Sequence, residues 1–270
     1  MGDVLLSRII KYLNGTLFYD GYYQFCTFVI ANYHRMIEYT FAQVCKESDL
    51  DPRTILGFLN YLGFDNYEDF HRKLVADDIL RNDQIRARLL SMSYRDLFRL
   101  IEVNDYDIFM DNIVSICHDI YDADRVIIVG GLFPTSIAVE FQTDLITLGK
   151  NVVQYHAYDP NIKFDENDFV VFFSSTGRSL RDFLAKKSLG HLSKSKTLLI
   201  TQNQLLENEN LSCIKYFFSL PGKFDGISFN YQIMAILDLI RIIYYQEYFV
   251  EYTEEALELS LIHISEPTRP

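Results

Sequence analysis

Cysteine is scarce and scattered in this 270-residue chain. Cys26, Cys45, Cys117 and Cys213 form no C-x-x-C pair and have no histidine at ligand spacing, which argues against a metal site and a disulfide framework. Free thiols in a reducing cytoplasm are the expectation. Also missing is any long apolar run without charge. The closest approach, Phe229–Ile240, contains Asp238 and is interrupted again at Arg241, which predicts a buried amphipathic helix and no membrane partner. The first residues mix Asp3, Arg8, Lys11 and Asp20 into apolar sequence with no small-residue cleavage site, so no secretory signal is read and a soluble, cytoplasmic protein is expected.

Positive charge is in short supply, with 25 Lys+Arg against 37 Asp+Glu and a net charge of −12. The deficit is uneven. Residues 1–104 hold 12 Lys+Arg against 14 Asp+Glu, and residues 105–270 hold 13 against 23. Such a chain is repelled by nucleic acid unless basic groups gather on one face, so any DNA contact needs a local patch. One basic stretch exists, a predicted linker helix over 81–99 with Arg81, Arg86, Arg88, Arg95 and Arg99 against Asp83 and Asp96. It reads either as a solvated helix face or as a phosphate-backbone contact.

What the chain has in abundance is core-forming material, at 49% hydrophobic and 15% aromatic, enough for two modest domains or one large one. The first hundred residues read as helices. Ile30, Tyr33, Met36, Ile37 and Phe41 recur at three- and four-residue steps, predicting one helix face. A short helix from Phe41 to Lys46, a turn at Ser48–Pro52, and a second helix over Thr54–Leu62 ending at Gly63 give helix-turn-helix spacing. From Asp124 the period changes. Arg125–Gly130, Asn151–Tyr155, Phe169–Ser174, Thr197–Thr201 and Tyr216–Leu220 are short runs rich in β-branched and aromatic residues, mostly separated by helical lengths. That alternation predicts a five-stranded parallel sheet covered on both faces. Phe229–Tyr248 reads as an apolar helix, used in the core or at a dimer interface.

The strongest chemical signal follows the strand Phe169–Phe173. Ser174, Ser175, Thr176, Gly177, Arg178 and Ser179 lead directly into a helix predicted over Leu180–Lys187. A helix N-terminus presents unpaired N–H groups and a partial positive charge, the hydroxyls add donors, and Gly177 lets backbone wrap an anion without a Cβ clash. The bland alternative is a Ser/Thr cap on a loop. Arg178 would pair with a phosphate, with Asp182, or with solvent.

These residues resemble the S-x-S-G-x-T phosphosugar loop of sugar-isomerase (SIS) domains, with Thr176 and Ser179 as Ser/Thr exchanges, and the strand–helix order from Asp124 to about Phe249 is similar to that domain. The stretch from Phe41 to Cys45 through Thr54 to Phe64, with Tyr67 and Phe70, resembles the helix-turn-helix of MurR/RpiR-type transcriptional regulators, which join it to an SIS domain by a linker helix. The resemblance implies an α/β architecture: an all-helical helix-turn-helix domain over 1–80, a linker over 81–104, an SIS domain over 105–259, and a cloning-like tail over 260–270 that includes His263. It implies a sugar or amino-sugar phosphate as effector, held by Ser174–Ser179 with Gly130, Thr135 and Ser136 nearby, and no cofactor. Duplex DNA is the other implied partner, contacted by Lys46, Arg53, Thr54, Asn60, Tyr61, Arg72 and Lys73, with the protein a homodimer or homotetramer. Two departures accompany the match. Gly57, Asn60 and Tyr61 stand where the family carries basic residues, so Thr54–Leu62 has none, and Leu132 and Pro134 replace a glycine and a serine after the first strand.

An isomerase would need a base beside the sugar carbonyl. Glu140, His118, His156 and His191 are available, but no spacing ties any of them to the loop, so no enzyme is expected. A scaffold or regulator without DNA binding is the third reading, from the acidic balance and the uncharged second helix.

Overall fold

The computed structural model describes residues 4–250 apart from 92–96, 102, 104, 157–158, 160–161, 187–191, 193, 210 and 223–225. Arg95, Asp96, Lys187, His191, the acidic stretch Thr253–Leu259 and the tail 260–270 lie outside the described residues.

The N-terminal region is helical: α1 (Leu5–Gly15), α2 (Gly21–Ala31), a 3-10 turn (Arg35–Ile37), α3 (Phe41–Ser48), α4 (Pro52–Tyr61) and α5 (Tyr67–Ser91). Local chemistry sets each boundary. Thr40 and Gln43 form a reciprocal capping box at the start of α3. Asp49 closes that helix in the left-handed region at φ 53°, and Asp51 caps α4 with Pro52 in its first turn. The N-terminus of α1 is capped from a distance, where Leu5 N donates to the buried Asp77 carboxylate of α5 at 2.6 Å.

The stretch from Ile30 to Phe41 corrects the periodicity reading. It is not one helix: α2 stops at Ala31, the Asn32 amide folds back to Phe28 O at 2.9 Å, and the 3-10 turn intervenes before α3. Ile30, Tyr33 and Met36 are buried as their pattern predicts, but a turn followed by a 3-10 helix delivers them. The helix–turn–helix pair forms with ends shifted by one or two residues from those expected.

The rest of the chain builds α6 (Tyr106–Asp122), β1 (Arg125–Gly130), α7 (Leu132–Ile137), α8 (Val139–Thr147), β2 (Asn151–Gln154), β3 (Asp168–Phe173), α9 (Arg178–Lys186), β4 (Lys196–Thr201), β5 (Tyr216–Ser219) and α10 (Ile227–Phe249). The strands form one all-parallel sheet in the order β2-β1-β3-β4-β5. The five-stranded parallel α/β expectation is therefore met, and β3, buried at all six positions, explains why its sequence is a continuous apolar run.

Alternate residues face two layers. Val126, Ile128, Phe169, Val171 and Phe173 join a core that also holds Leu5, Phe58, Phe70 and much of α10. Ile127, Val129, Val170 and Phe172 pack under α9 with Leu180, Phe183 and Leu206. The first core runs without a break from α1 to α10, so the helical region and the sheet share one interior. By length and composition α10 could cross a membrane, yet 67% of its most apolar window is buried inside the protein.

A buried ionic cluster joins these parts. Asp144 on α8 is fully buried and receives Arg81 at 2.5 Å and Arg88 at 2.8 Å from α5, and Arg241 at 2.6 Å from α10. Glu140 pairs with Arg88, and Asp238 with Arg241. Residues 80 and 81 are consecutive positions in one helix, and Arg81 and Arg88 are neither a solvated face nor free for phosphate. The Arg-rich stretch is corrected accordingly: two of its guanidiniums are turned inward onto a carboxylate. Asn14 Nδ2 also donates to Gln142 Oε1 at 2.8 Å, and Gln142 Nε2 passes on to Val152 O of β2 at 2.9 Å.

Removing one partner of a buried charge cluster leaves the others uncompensated, at a cost of about 3–5 kcal/mol. Asp144→Ala is expected to lose about that much in urea-denaturation stability, more than Asp111→Ala at an exposed position does. A loss within experimental error of Asp111→Ala would show that the cluster contributes little.

Candidate functional site

In a parallel sheet of this order, the chain leaves β1 and β3 toward opposite sides, opening a crevice at their carboxyl ends. Gly130 ends β1 and lies in register with Phe173, the last residue of β3. A Cβ on Gly130 would lie 3.1 Å from Phe173 Cβ and 3.2 Å from its carbonyl oxygen, so the close approach of the two strand ends favours glycine there.

Beyond β3 the chain turns sharply. Ser174 N continues the ladder to Ile200 O at 3.0 Å, Gly177 N closes a turn onto Ser174 O at 3.2 Å, and Gly177 has φ +80°. Helix α9 starts at once, with Arg178 N donating to Thr176 Oγ1 at 3.4 Å and Arg181 N to Gly177 O at 3.1 Å.

The hydroxyls divide into two kinds. Ser175 Oγ donates to Gln202 Oε1 at 2.9 Å and braces the loop. Ser174 Oγ is buried and has no hydrogen-bond partner among the described residues. A buried hydroxyl without a partner is costly unless something fills the role, which makes this atom the most informative in the loop. Thr176 Oγ1 accepts from Arg178 N at 3.4 Å and from Arg178 Nε at 3.3 Å, which leaves the hydroxyl proton free to donate. Arg178 is exposed and is tethered to Thr176 rather than paired with Asp182, so its terminal nitrogens remain available to an anion. Ser179 is exposed on the first turn of α9.

Three residues that the sequence reading missed hold this loop in shape. Thr201 Oγ1 donates to Ser174 O at 2.7 Å, Asn203 Nδ2 donates to Thr176 O at 3.0 Å, and Gln202 N donates to Ser175 O at 3.0 Å. All three follow the apolar core of β4, at the same carboxyl edge as the loop. A polar triplet directly after an apolar strand was the available signal.

On the β1 side, Thr135 Oγ1 donates to Gly131 O at 3.0 Å, Gln154 Nε2 donates to Thr135 O at 2.8 Å, and Ser136 is exposed. The structure thus gathers Ser174, Thr176, Gly177, Arg178 and Ser179 at one strand end, with Gly130, Thr135 and Ser136 on the neighbouring one.

The residues assigned to DNA are placed less uniformly. Lys46, Arg53 and Asn60 are exposed. Thr54 is half-buried, and a Cβ on Gly21 of α2 would meet its methyl at 2.6 Å. Tyr61 is exposed but lies in an aromatic group with Tyr12 (5.7 Å between ring centroids) and Phe58 (6.2 Å). Arg72 pairs with Asp69, and Lys73 with the buried Asp77 at 2.6 Å.

Of the ionisable candidates for catalysis, His118 and Glu140 are engaged with other groups, and His191 lies outside the described residues. His118 sits near the end of α6, which feeds the amino end of β1, and lies 3.2 Å from Asp122. Glu140 is engaged with Arg88. His156 follows β2 at the carboxyl edge, where burial holds its pKa below the usual histidine value despite Asp159, favouring the neutral ring near pH 7. No group of His, Cys, Asp and Glu suited to a metal ion occurs among the described residues.

No protein-family model matches the chain, and no curated protein matches it. Among solved structures it is similar to the Vibrio vulnificus NanR protein complexed with ManNAc-6P, at 16% identity and a TM-score of 0.39, covering 96% of this chain and 98% of that one. It is also similar to the sugar isomerase domain of an RpiR transcription factor from Sphaerobacter thermophilus, at 16% identity and a TM-score of 0.41, covering 68% of this chain and 97% of that one. A Methanococcus jannaschii protein with an inferred 3-hexulose-6-phosphate isomerase function is similar at 16% identity and a TM-score of 0.44, covering 65% of this chain and 94% of that one.

The turn geometry makes a direct prediction. A Cβ on Gly177 would adopt a left-handed conformation and meet Leu206 Cδ1 at 2.8 Å, whereas one on Gly131 meets nothing within 4 Å. Gly177→Ala is therefore expected to destabilise by about 1–2 kcal/mol or more in chemical denaturation, and Gly131→Ala to be close to neutral. Equal effects at the two positions would refute this account of the loop.

Proposed function

We propose that this chain binds a phosphorylated sugar or amino sugar at the Ser174–Ser179 loop and works as an effector-responsive regulator, not an isomerase. The observation that carries the reading is the buried, unpartnered Ser174 hydroxyl at a strand end that opens into a helix N-terminus. Around it stand Thr176, with a free hydroxyl proton, and Arg178, held by its Nε with its fork open. An incoming phosphate would satisfy the orphan hydroxyl and the first-turn N–H groups together. The resemblance of the loop to S-x-S-G-x-T supplies the sugar class. The engagement of His118 with Asp122 and of Glu140 with Arg88 supports a non-catalytic role.

A physical route leads from this edge to the helix pair. Tyr23 Oη on α2 donates to the buried Asp159 at 2.7 Å, in the segment that leaves β2 at the carboxyl edge. Gly21 and Tyr22, on the same helix, pack onto Thr54 and Gly57 of α4. A ligand that shifts the segment after β2 would therefore bias the setting of α4, the proposed DNA-contacting element. A second reading, a regulator whose output is not DNA, is favoured by the pairing of Arg72 and Lys73 with carboxylates and by the absence of basic residues from Thr54 to Leu62.

Two measurements test these proposals. In a thermal-shift panel of sugar and amino-sugar phosphates beginning with ManNAc-6P, one compound should raise the melting temperature of the wild type and not of the Ser174→Ala, Thr176→Ala double variant. Equal shifts in both would sink the phosphate site. On duplex DNA, the regulator reading expects binding that weakens steeply with salt and is reduced by Arg53→Ala. No binding at low ionic strength would leave only the regulator without DNA.

A further inference from the structure

The outer face of α5 is apolar where a solvated helix should be polar. The inner face carries Leu74, Ile85, Arg81 and Arg88 into the shared core and the Asp144 cluster. On the opposite side Ile79 is 63% exposed, and Leu80 and Leu90 are each 49% exposed. Asp83, Arg86 and Ala87 complete the stripe and are also exposed. Neither Asp83 nor Arg86 has an ion-pair partner among the described residues, although each could reach the other along the helix.

The order of residues on this stripe is self-complementary. Ile79, Asp83, Arg86 and Leu90 follow at steps of four, three and four, so the spacing reads identically from either end while the charges exchange. Laid against a second copy running antiparallel, Ile79 meets the partner copy's leucine at 90, and Asp83 meets its arginine at 86. Each contact then occurs twice. A parallel alignment would instead set like charges against each other. Such self-matching is what a two-fold symmetric interface requires.

We propose that the outer face of α5 is a contact between two copies of this chain, crossed antiparallel about a two-fold axis between Gln84 and Ile85. The apolar ends remove Ile79, Leu80 and Leu90 from water, and the two central Asp–Arg pairs fix direction and register. The same helix would bind its copy on one side and the sheet domain on the other. The inference does not rest on the phosphate reading, because nothing in it involves the Ser174 loop, and its tests contain no ligand.

The wild-type chain should be dimeric by sedimentation equilibrium. Asp83→Arg and Arg86→Asp should each weaken the dimer by about tenfold or more, because like charges then face each other twice. The doubly reversed chain, with both substitutions, should recover wild-type affinity. Geometry supplies an independent readout. Chains bearing Ile79→Cys and chains bearing Leu90→Cys should form a disulfide with each other when mixed and oxidised, and neither should do so alone, since equivalent positions lie roughly 16 Å apart along the axis. A monomeric wild type, folded single reversals that associate as well as the wild type, or a mixture that fails to cross-link would each overturn the proposal.

Discussion

Asp144 is the fixed point of this molecule. It is a fully buried carboxylate, and it is compatible with the interior only because three arginines from two distant parts of the chain reach it. Glu140 and Asp238 balance the remaining positive charge. Because the pairs are directional, they set the rotation and register of α5 and α10 against α8 in a way that apolar packing alone would leave looser. For Arg241, burial works against the charge and the surrounding Asp144, Asp238 and Glu140 overcome it, so the guanidinium stays protonated.

The carboxyl edge of the sheet follows a different logic. There the backbone is shaped first, by Thr201, Gln202 and Asn203 of the neighbouring strand end, and the outward-facing donors are left over. Ser175 is spent on bracing while Ser174 is not. A loop already held by its second layer loses little freedom when an anion enters, so more of the interaction energy appears as affinity.

Much of this was legible in the residues. The strands announced themselves because both faces are covered, so β3 needs no polar alternation. The helix–turn–helix pair was readable from Thr40, Asp51, Pro52 and Gly63, each acting within a few residues. The misreading of Ile30–Phe41 has the same origin: a turn plus a 3-10 helix can bury residues at nearly helical spacing. Arg81 and Arg88 could not be read at all, since the carboxylate that claims them lies 63 and 56 residues away. Nor does a row of hydroxyls tell which one faces inward, a choice made by Gln202 across the sheet.

The unbroken core between the helical region and the sheet carries a practical consequence. Excising either part would bare the apolar side of the other and leave Asp144 without two of its cations. The smallest cooperative folding unit is therefore the pair together, and a lone sheet fragment would present sticky surface to its neighbours in solution. A disturbance at one face of such a protein reaches the other by repacking within one solid body, not by the swing of beads on a string.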